Sequence, residues 1–217
     1  MMIHSIAVLL TILLGIRIAS EIVVRLFIRR RFVWPKNVGN GASWAVVTGA
    51  GSGMGFEWAR QLALKGYSLL MIGLVEEELA QAKVMIAREV KLQTTHDITI
   101  QTMTVDFNAV TEDEKMYERI EATLDLPRRE VFVLVNNAGT NAGLPDDFLS
   151  GDYVKRNRTL INVNIVPMTR LTEMVLPSMV KRNRGLIINM ASGSCFMPVS
   201  LLTAYAATKV SSAKFLF

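Results

Sequence analysis

The chain has 217 residues, 51% of them hydrophobic, and a mean hydropathy of +0.32, which suits one well-packed domain with a small appendage and leaves two full domains short of material. Its net charge of +5 lies within residues 1–40, where Arg17, Arg25, Arg29, Arg30, Arg31 and Lys36 stand against Glu21; of 24 basic and 19 acidic residues the remaining 18 and 18 cancel, which argues against a nucleic-acid groove. A single cysteine, Cys195, excludes an intramolecular disulfide and points to a reducing, cytosol-facing domain.

From Ile6 to Ile16 the chain is uncharged, and from Ile18 to Ile28 only Ser20, Glu21 and Arg25 interrupt apolar residues. On a helix Arg17, Glu21 and Arg25 share one face and pair at four-residue spacing, which lowers the penalty of burying them. Residues 1–34 therefore read as a membrane anchor with a basic flank, spanning or partly embedded, with an in-plane amphipathic helix as the alternative. A cleaved secretory signal fits less well, since no basic segment precedes the apolar run. Arg29-Arg30-Arg31 would hold the following domain on the cytoplasmic side. Residues 35–41, with two glycines and two asparagines, read as a linker.

The domain at 42–217 alternates strand and helix. Strands are expected at 44–47, 68–72, 98–105, 131–135 and 186–190, and helices at 56–65, 76–92, 112–124 and 153–181, with a last helix opening near Ala204. Nearly continuous apolar strands alternating with helices predict an α/β, Rossmann-like, doubly wound parallel sheet covered on both faces. Pro167 and Pro177 should kink the long helix or mark its end.

Three stretches carry chemistry. Thr48-Gly49-Ala50-Gly51-Ser52-Gly53-Met54-Gly55 follows a strand and precedes a helix, where glycines let the backbone turn sharply and approach a pyrophosphate that the helix N-terminus attracts. Asn136-Asn137-Ala138-Gly139 follows another strand, and small residues there leave room for a cofactor across the strand ends; a polar turn is its bland reading. Tyr205 and Lys209 lie four apart on the last helix, so they project from one face. An ammonium near a phenol stabilises phenolate, as a proton donor to a carbonyl oxygen requires, although such a pair is more often ordinary packing. Ser192 gives it weight by following the strand 186–190 at its carboxyl end, where such sheets bind ligands; Ser194 is its rival. Asn162 and Asn164 read equally as surface polar residues, and Asp106 as a turn former.

With these motifs in order, the stretch from about Gly41 onward resembles the short-chain dehydrogenase/reductase superfamily. Trp44-Ala45-Val46-Val47-Thr48-Gly49, Val105-Asp106-Phe107, Val175-Leu176-Pro177-Ser178-Met179-Val180 and Ala191-Ser192-Gly193-Ser194 resemble its membrane-bound branch of very-long-chain 3-oxoacyl-CoA reductases and hydroxysteroid 17-beta dehydrogenases. The resemblance implies that Gly49, Gly53 and Gly55 hold the pyrophosphate, that Asp106 lies near the adenine, that Asn136 and Ala138 pack along the cofactor, and that Thr48, Ser52, Met54, Gly139 and Tyr205 also contribute to binding it. It further implies that Asn164 supports a proton relay, Ser192 orients the substrate carbonyl, Tyr205 donates the proton, and Lys209 binds the nicotinamide ribose; no metal enters. It implies anchoring in the endoplasmic reticulum with the domain facing the cytosol, and a lipid carbonyl as substrate. Phe196, Met197, Val199, Leu201 and Leu202 suit a greasy substrate wall, or equally a loop packed on its own core.

Two departures qualify the resemblance. NADPH is the cofactor it implies, with NADH the alternative, yet the arginine expected after the second strand is replaced by Gly73-Leu74-Val75 followed by Glu76-Glu77-Glu78, and no aspartate stands there either. The family also continues beyond the Tyr-Lys helix, so a C-terminally shortened domain, weak activity and self-association are expected. The rival class is a membrane-anchored nucleotide-binding or scaffold protein without catalysis.

Overall fold

The computed structural model describes residues 11–12, 14–20, 22, 42–109, 114–126, 129–143, 145–197 and 199–215. The chain divides into two compact units, Met1–Asn37 and Val38–Phe217. In the first, the described residues between 11 and 22 are helical and exposed, with Ile12, Leu14, Ile16, Ile18 and Ile22 facing out. Most of the expected anchor, including Glu21, Arg25 and the arginine run, and the whole linker lie outside the described residues. Among the described residues no helix is long and apolar enough to cross a membrane.

The second unit contains strands β1 (Ser43–Thr48), β2 (Ser68–Gly73), β3 (Ile100–Thr104), β4 (Glu130–Asn136) and β5 (Leu186–Asn189). They form one parallel sheet in the order β3-β2-β1-β4-β5. Between them run helices α1 (Gly53–Leu64), α2 (Glu76–Gln93), α3 (Glu114–Leu124), α4 (Tyr153–Asn164) and α5 (Val166–Lys181), and after β5 come a short 3-10 turn at Gly193–Cys195 and α6 (Thr203–Lys214).

β1 and β2 are buried along their whole length, which is why they read as unbroken apolar runs. Successive side chains go to opposite faces and build two cores. Ala45, Val47, Leu69, Met71, Val133 and Val135 pack with Ala59 and Leu62 of α1 and Leu79, Ile86 and Val90 of α2. Trp44, Val46, Leu70, Ile72 and Leu134 pack with Tyr117, Ile120 and Leu124 of α3 and Leu171, Val175 and Met179 of α5. The sheet is thus covered on both sides, as the sequence pattern predicts.

The single long helix expected at 153–181 is two helices. Ile165, at φ −112° and ψ −55°, separates α4 from α5, and Pro167 lies in the first turn of α5. Proline lacks the N–H that a continuous helix would need there, whereas at a helix start that donor is dispensable. Pro177 stays inside α5.

β1 is the topological switch: the chain passes from β1 through β2 to β3 on one side, then resumes with β4 on the other. In open parallel sheets ligands bind in the crevice at the carboxyl ends of the strands where that reversal occurs. The glycine loop after β1 and the Asn-Asn-Ala-Gly segment after β4 both stand there.

Candidate active site

Thr48 ends β1 almost fully buried, and its hydroxyl joins the two sides of the switch. Its Oγ1 donates to Val135 O at 3.3 Å and accepts from the N–H groups of Asn137 at 3.0 Å and Ala138 at 2.9 Å. Asn137 completes the clamp, its Nδ2 donating to Thr48 O at 2.9 Å and Gly49 O at 3.2 Å. The loop after β1 is thus held by the turn after β4 through protein hydrogen bonds alone.

The glycines are sterically required at two places. Gly49 has φ +63°, and a Cβ there would lie 2.9 Å from Asn137 Nδ2. A Cβ on Gly55 would lie 2.0 Å from Gly49 O. Gly53, at φ +55°, has nothing within 4 Å of a Cβ position and opens on free space at the start of α1. Ser52 caps α1 with extended backbone and no side-chain hydrogen bond, and Ser52 and Met54 are exposed. The first N–H groups of α1 face that space with the positive end of the helix dipole.

Asn136, by contrast, is engaged with its neighbours. Its Nδ2 donates to Asn189 Oδ1 at 2.9 Å and Thr172 Oγ1 at 3.4 Å, tying β4 to β5 and α5, while its buried Oδ1 has no partner among the described residues. Asp106 sits at the carboxyl end of β3, accepting from Asn108 N at 2.8 Å and lining a cleft of about 380 Å³ with Thr104, Ala109 and Arg119.

Asn164 and Asn162 are buried, not surface polar residues. Asn164 Oδ1 accepts from Thr140 N at 2.8 Å, and its Nδ2 donates to Thr140 O and Thr208 Oγ1, both at 2.9 Å. The end of α4, the turn after β4 and α6 therefore meet at one amide. One residue on from Thr208, Lys209 is only 7% exposed, and its Nζ donates to Met190 O at 3.1 Å. Burial pushes its pKa below the ordinary lysine value. A Cβ on Gly139 would lie 3.0 Å from Lys209 Nζ and 3.4 Å from Asn164 Oδ1, a tight contact, so Gly139 leaves the amine its room.

Tyr205 is partly exposed on the same face of α6, its ring centroid 5.9 Å from Lys209 Nζ. It borders a cleft with Leu160, Leu201, Leu202 and Arg156. Ser192 follows Met190 in extended conformation, its hydroxyl accepting from Ser194 N at 3.3 Å, and α6 packs on the 3-10 turn that it starts. Ser194 Oγ is buried with no partner among the described residues. Lys209, Asn164, Gly139 and Met190 come together closely, the Tyr205 ring lies 5.9 Å from the amine, and Ser192 stands two residues beyond Met190. Phe196 is 83% exposed and Met197 64%, so these two side chains do not pack on the loop's own core, whereas Val199 and Leu202 are half-buried.

Three contributors escaped the sequence reading. Asn137 belongs to a motif but gives no sign that its amide holds a loop 88 residues away. Thr208 stands between Tyr205 and Lys209 without a signal of its own. Arg156 donates to Asp147 O at 2.8 Å and Phe148 O at 3.0 Å, shaping the rim of the cleft beside Tyr205; its spacing on α4 does not reveal this.

These residues fit a dinucleotide. Open space at Gly53 before a helix N-terminus suits a pyrophosphate, and a buried ammonium with three donors and one acceptor among the described residues suits ribose hydroxyls.

Residues 43–216 match the family model described as short chain dehydrogenase. Over 167 residues the chain is 38% identical to the very-long-chain 3-oxoacyl-CoA reductase-B of Danio rerio, covering 76% of this chain and 50% of that protein. The human very-long-chain 3-oxoacyl-CoA reductase is 37% identical with the same coverage. The chain thus spans about half the length of the curated relatives it matches. Among solved structures, serine dehydrogenase in complex with NADP+ aligns with TM-score 0.64 and 27% identity, over 79% of this chain and 62% of that one.

Proposed function

The chain belongs to the short chain dehydrogenase family, and on that premise we propose that it works as a nicotinamide-dependent reductase of a lipid carbonyl, a 3-oxoacyl-CoA or a ketosteroid, at the endoplasmic reticulum membrane. The observation that carries the proposal is the placement of Lys209: a buried amine behind Gly139, at the carboxyl end of the sheet, with Tyr205 on the same helix face. The names of the similar reductases support the lipid carbonyl.

Each residue then has a task. Gly49, Gly53, Gly55 and the start of α1 receive the pyrophosphate, with Thr48 and Asn137 bracing the loop and Ser52 and Met54 at its rim. Asp106 borders the adenine, and Ala138 and Gly139 lie along the dinucleotide, with Asn136 fixing the strand ends beneath. Lys209 holds ribose hydroxyls. Ser192 orients the carbonyl, Tyr205 donates its phenolic proton to the carbonyl oxygen, and Asn164 supports proton supply by fixing Thr140 and Thr208. When bound, the reduced nicotinamide supplies hydride to the carbonyl carbon, while the protein contributes placement and electrostatics. Exposed Phe196, Met197 and Leu201 provide apolar surface beside the cleft for a long chain.

The anchor places this domain on the cytosolic side through residues 1–34, and association with a second copy belongs to the same proposal. The test is an assay of reduced-dinucleotide oxidation with a long-chain 3-oxoacyl-CoA and, in parallel, a ketosteroid. Turnover of either supports the reading; turnover of neither, with small ketones reduced instead, removes the lipid carbonyl. Deleting residues 1–34 should release the protein from membranes, and resistance of the deletion to alkaline carbonate would remove the anchor.

A further inference from the structure

The first turn of α2 carries an acidic side chain beside the glycine loop that the cofactor reading leaves without a role. A Cβ built on Gly51 would lie 3.0 Å from Glu78 Cβ and 3.2 Å from Glu78 Oε2, and the three nearest heavy atoms to that position all belong to Glu78. The contact is fixed by packing on both sides. Leu79, the next residue, is 1% exposed and sits over Gly73 at the end of β2, where a Cβ would meet it at 3.2 Å. Ala50 N donates to Ile72 O at 3.1 Å, tying the glycine loop to the same strand end. The first turn of α2, the end of β2 and the loop residue Gly51 are thereby held together, with the carboxylate of Glu78 at their junction.

Resting on the dinucleotide reading above, we propose that Glu78 is a specificity-determining residue that disfavours a 2′-phosphate, so that this chain prefers NADH to NADPH. A helix N-terminus beside the ribose is the natural place for a phosphate, but the first turn of α2 is filled by Glu76, Glu77 and Glu78, whose charges use that dipole themselves. No cation is available nearby in sequence, for 48–55 and 73–78 contain neither lysine nor arginine. In dinucleotide folds the residue that reads the ribose follows the glycine loop by about 20 positions, acidic for NAD and basic for NADP. Here the strand ends at Gly73, Leu74-Val75 lead into α2, and the acidic function moves into its first turn. The preference is opposite to the NADPH that the family resemblance implies.

Calorimetric titration of the full chain in detergent with NADH and NADPH tests this, alongside Glu78→Gln and, as a control of equal charge change on the same turn, Glu77→Gln. Wild type should bind NADH about tenfold more tightly, and Glu78→Gln should remove most of that ratio by tightening NADPH, since a like charge across a few ångströms of hydrated surface is worth about that much. Added salt should narrow the wild-type ratio, and Glu77→Gln should leave it nearly intact. Glu78 is exposed, so the variant folds; circular dichroism verifies this. NADPH binding as tightly as NADH in wild type, an unchanged ratio in Glu78→Gln, or an equal shift in Glu77→Gln overturns the assignment while leaving the dinucleotide reading intact. Binding of neither dinucleotide overturns both.

Discussion

Asn164 on α4 donates a hydrogen bond of 2.9 Å to the hydroxyl of Thr208 on α6, one residue before Lys209. The same amide makes two further bonds to the backbone of Thr140, so the lysine is aligned by a buried network that also fixes the turn after β4.

Replacing Asn164 by alanine leaves the partly buried Thr140 N–H and C=O without their partner, while the Thr208 hydroxyl keeps its bond to Tyr205 O at 2.7 Å. Each unsatisfied buried group costs roughly 1–3 kcal/mol, so the variant should lose about 2 kcal/mol of stability in a denaturant titration. A loss below about 0.5 kcal/mol, the range of neutral surface changes, would mean that the network is not holding the fold.

Gly55→Ala and Gly53→Ala separate two uses of glycine. At Gly55 the new methyl would meet Gly49 O at 2.0 Å, so the loop must move, and both stability and dinucleotide affinity should fall, the affinity by about tenfold or more. At Gly53 no protein atom lies within 4 Å of the new methyl, so stability falls only by left-handed backbone strain, about 1 kcal/mol, while the methyl enters the space assigned to the pyrophosphate and affinity falls here too. Melting temperature and calorimetric titration of the two variants decide; an equal loss of stability in both, or unchanged dinucleotide affinity in Gly53→Ala, would contradict the assignment.

The order of strands and helices was legible because buried parallel strands are short unbroken apolar runs and helices repeat at a different period. The glycine loop was legible because it lies between the two. The separation of α4 from α5 was legible in part: Pro167 was expected to kink or end the helix, but helical pattern runs on both sides of Ile165 and only its position in a first turn shows that a new helix starts there, while Pro177 stays inside α5. The clamp of Thr48 and Asn137, whose partners are 87–90 residues apart, was not legible. Glu78 was visible as one of three glutamates, but its neighbour Gly51 emerges only when Leu79 seats α2 on the end of β2.

Lys209 gives a pH signature. Burial lowers its pKa below 10.5, so between the lowered value and 10.5 the unfolded chain holds more protons than the folded one, and stability rises with pH across that window. The cost of the buried charge is present below the lowered value and relieved above it. Unfolding free energies across the alkaline range should rise more, or fall less, in wild type than in Lys209→Met. Tyr67 and Tyr117, whose phenols burial pushes up, the latter to about 12, are common to both proteins. Parallel profiles would show that Lys209 is not desolvated.

Steady-state oxidation of the reduced dinucleotide with a long-chain 3-oxoacyl-CoA, compared between wild type and Tyr205→Phe, tests the reductase assignment most directly. The substitution removes the phenolic proton donor and little else, so turnover should fall roughly 100-fold or more while dinucleotide affinity and melting temperature stay as in wild type. Equal turnover in the two proteins, or none in wild type, would contradict it.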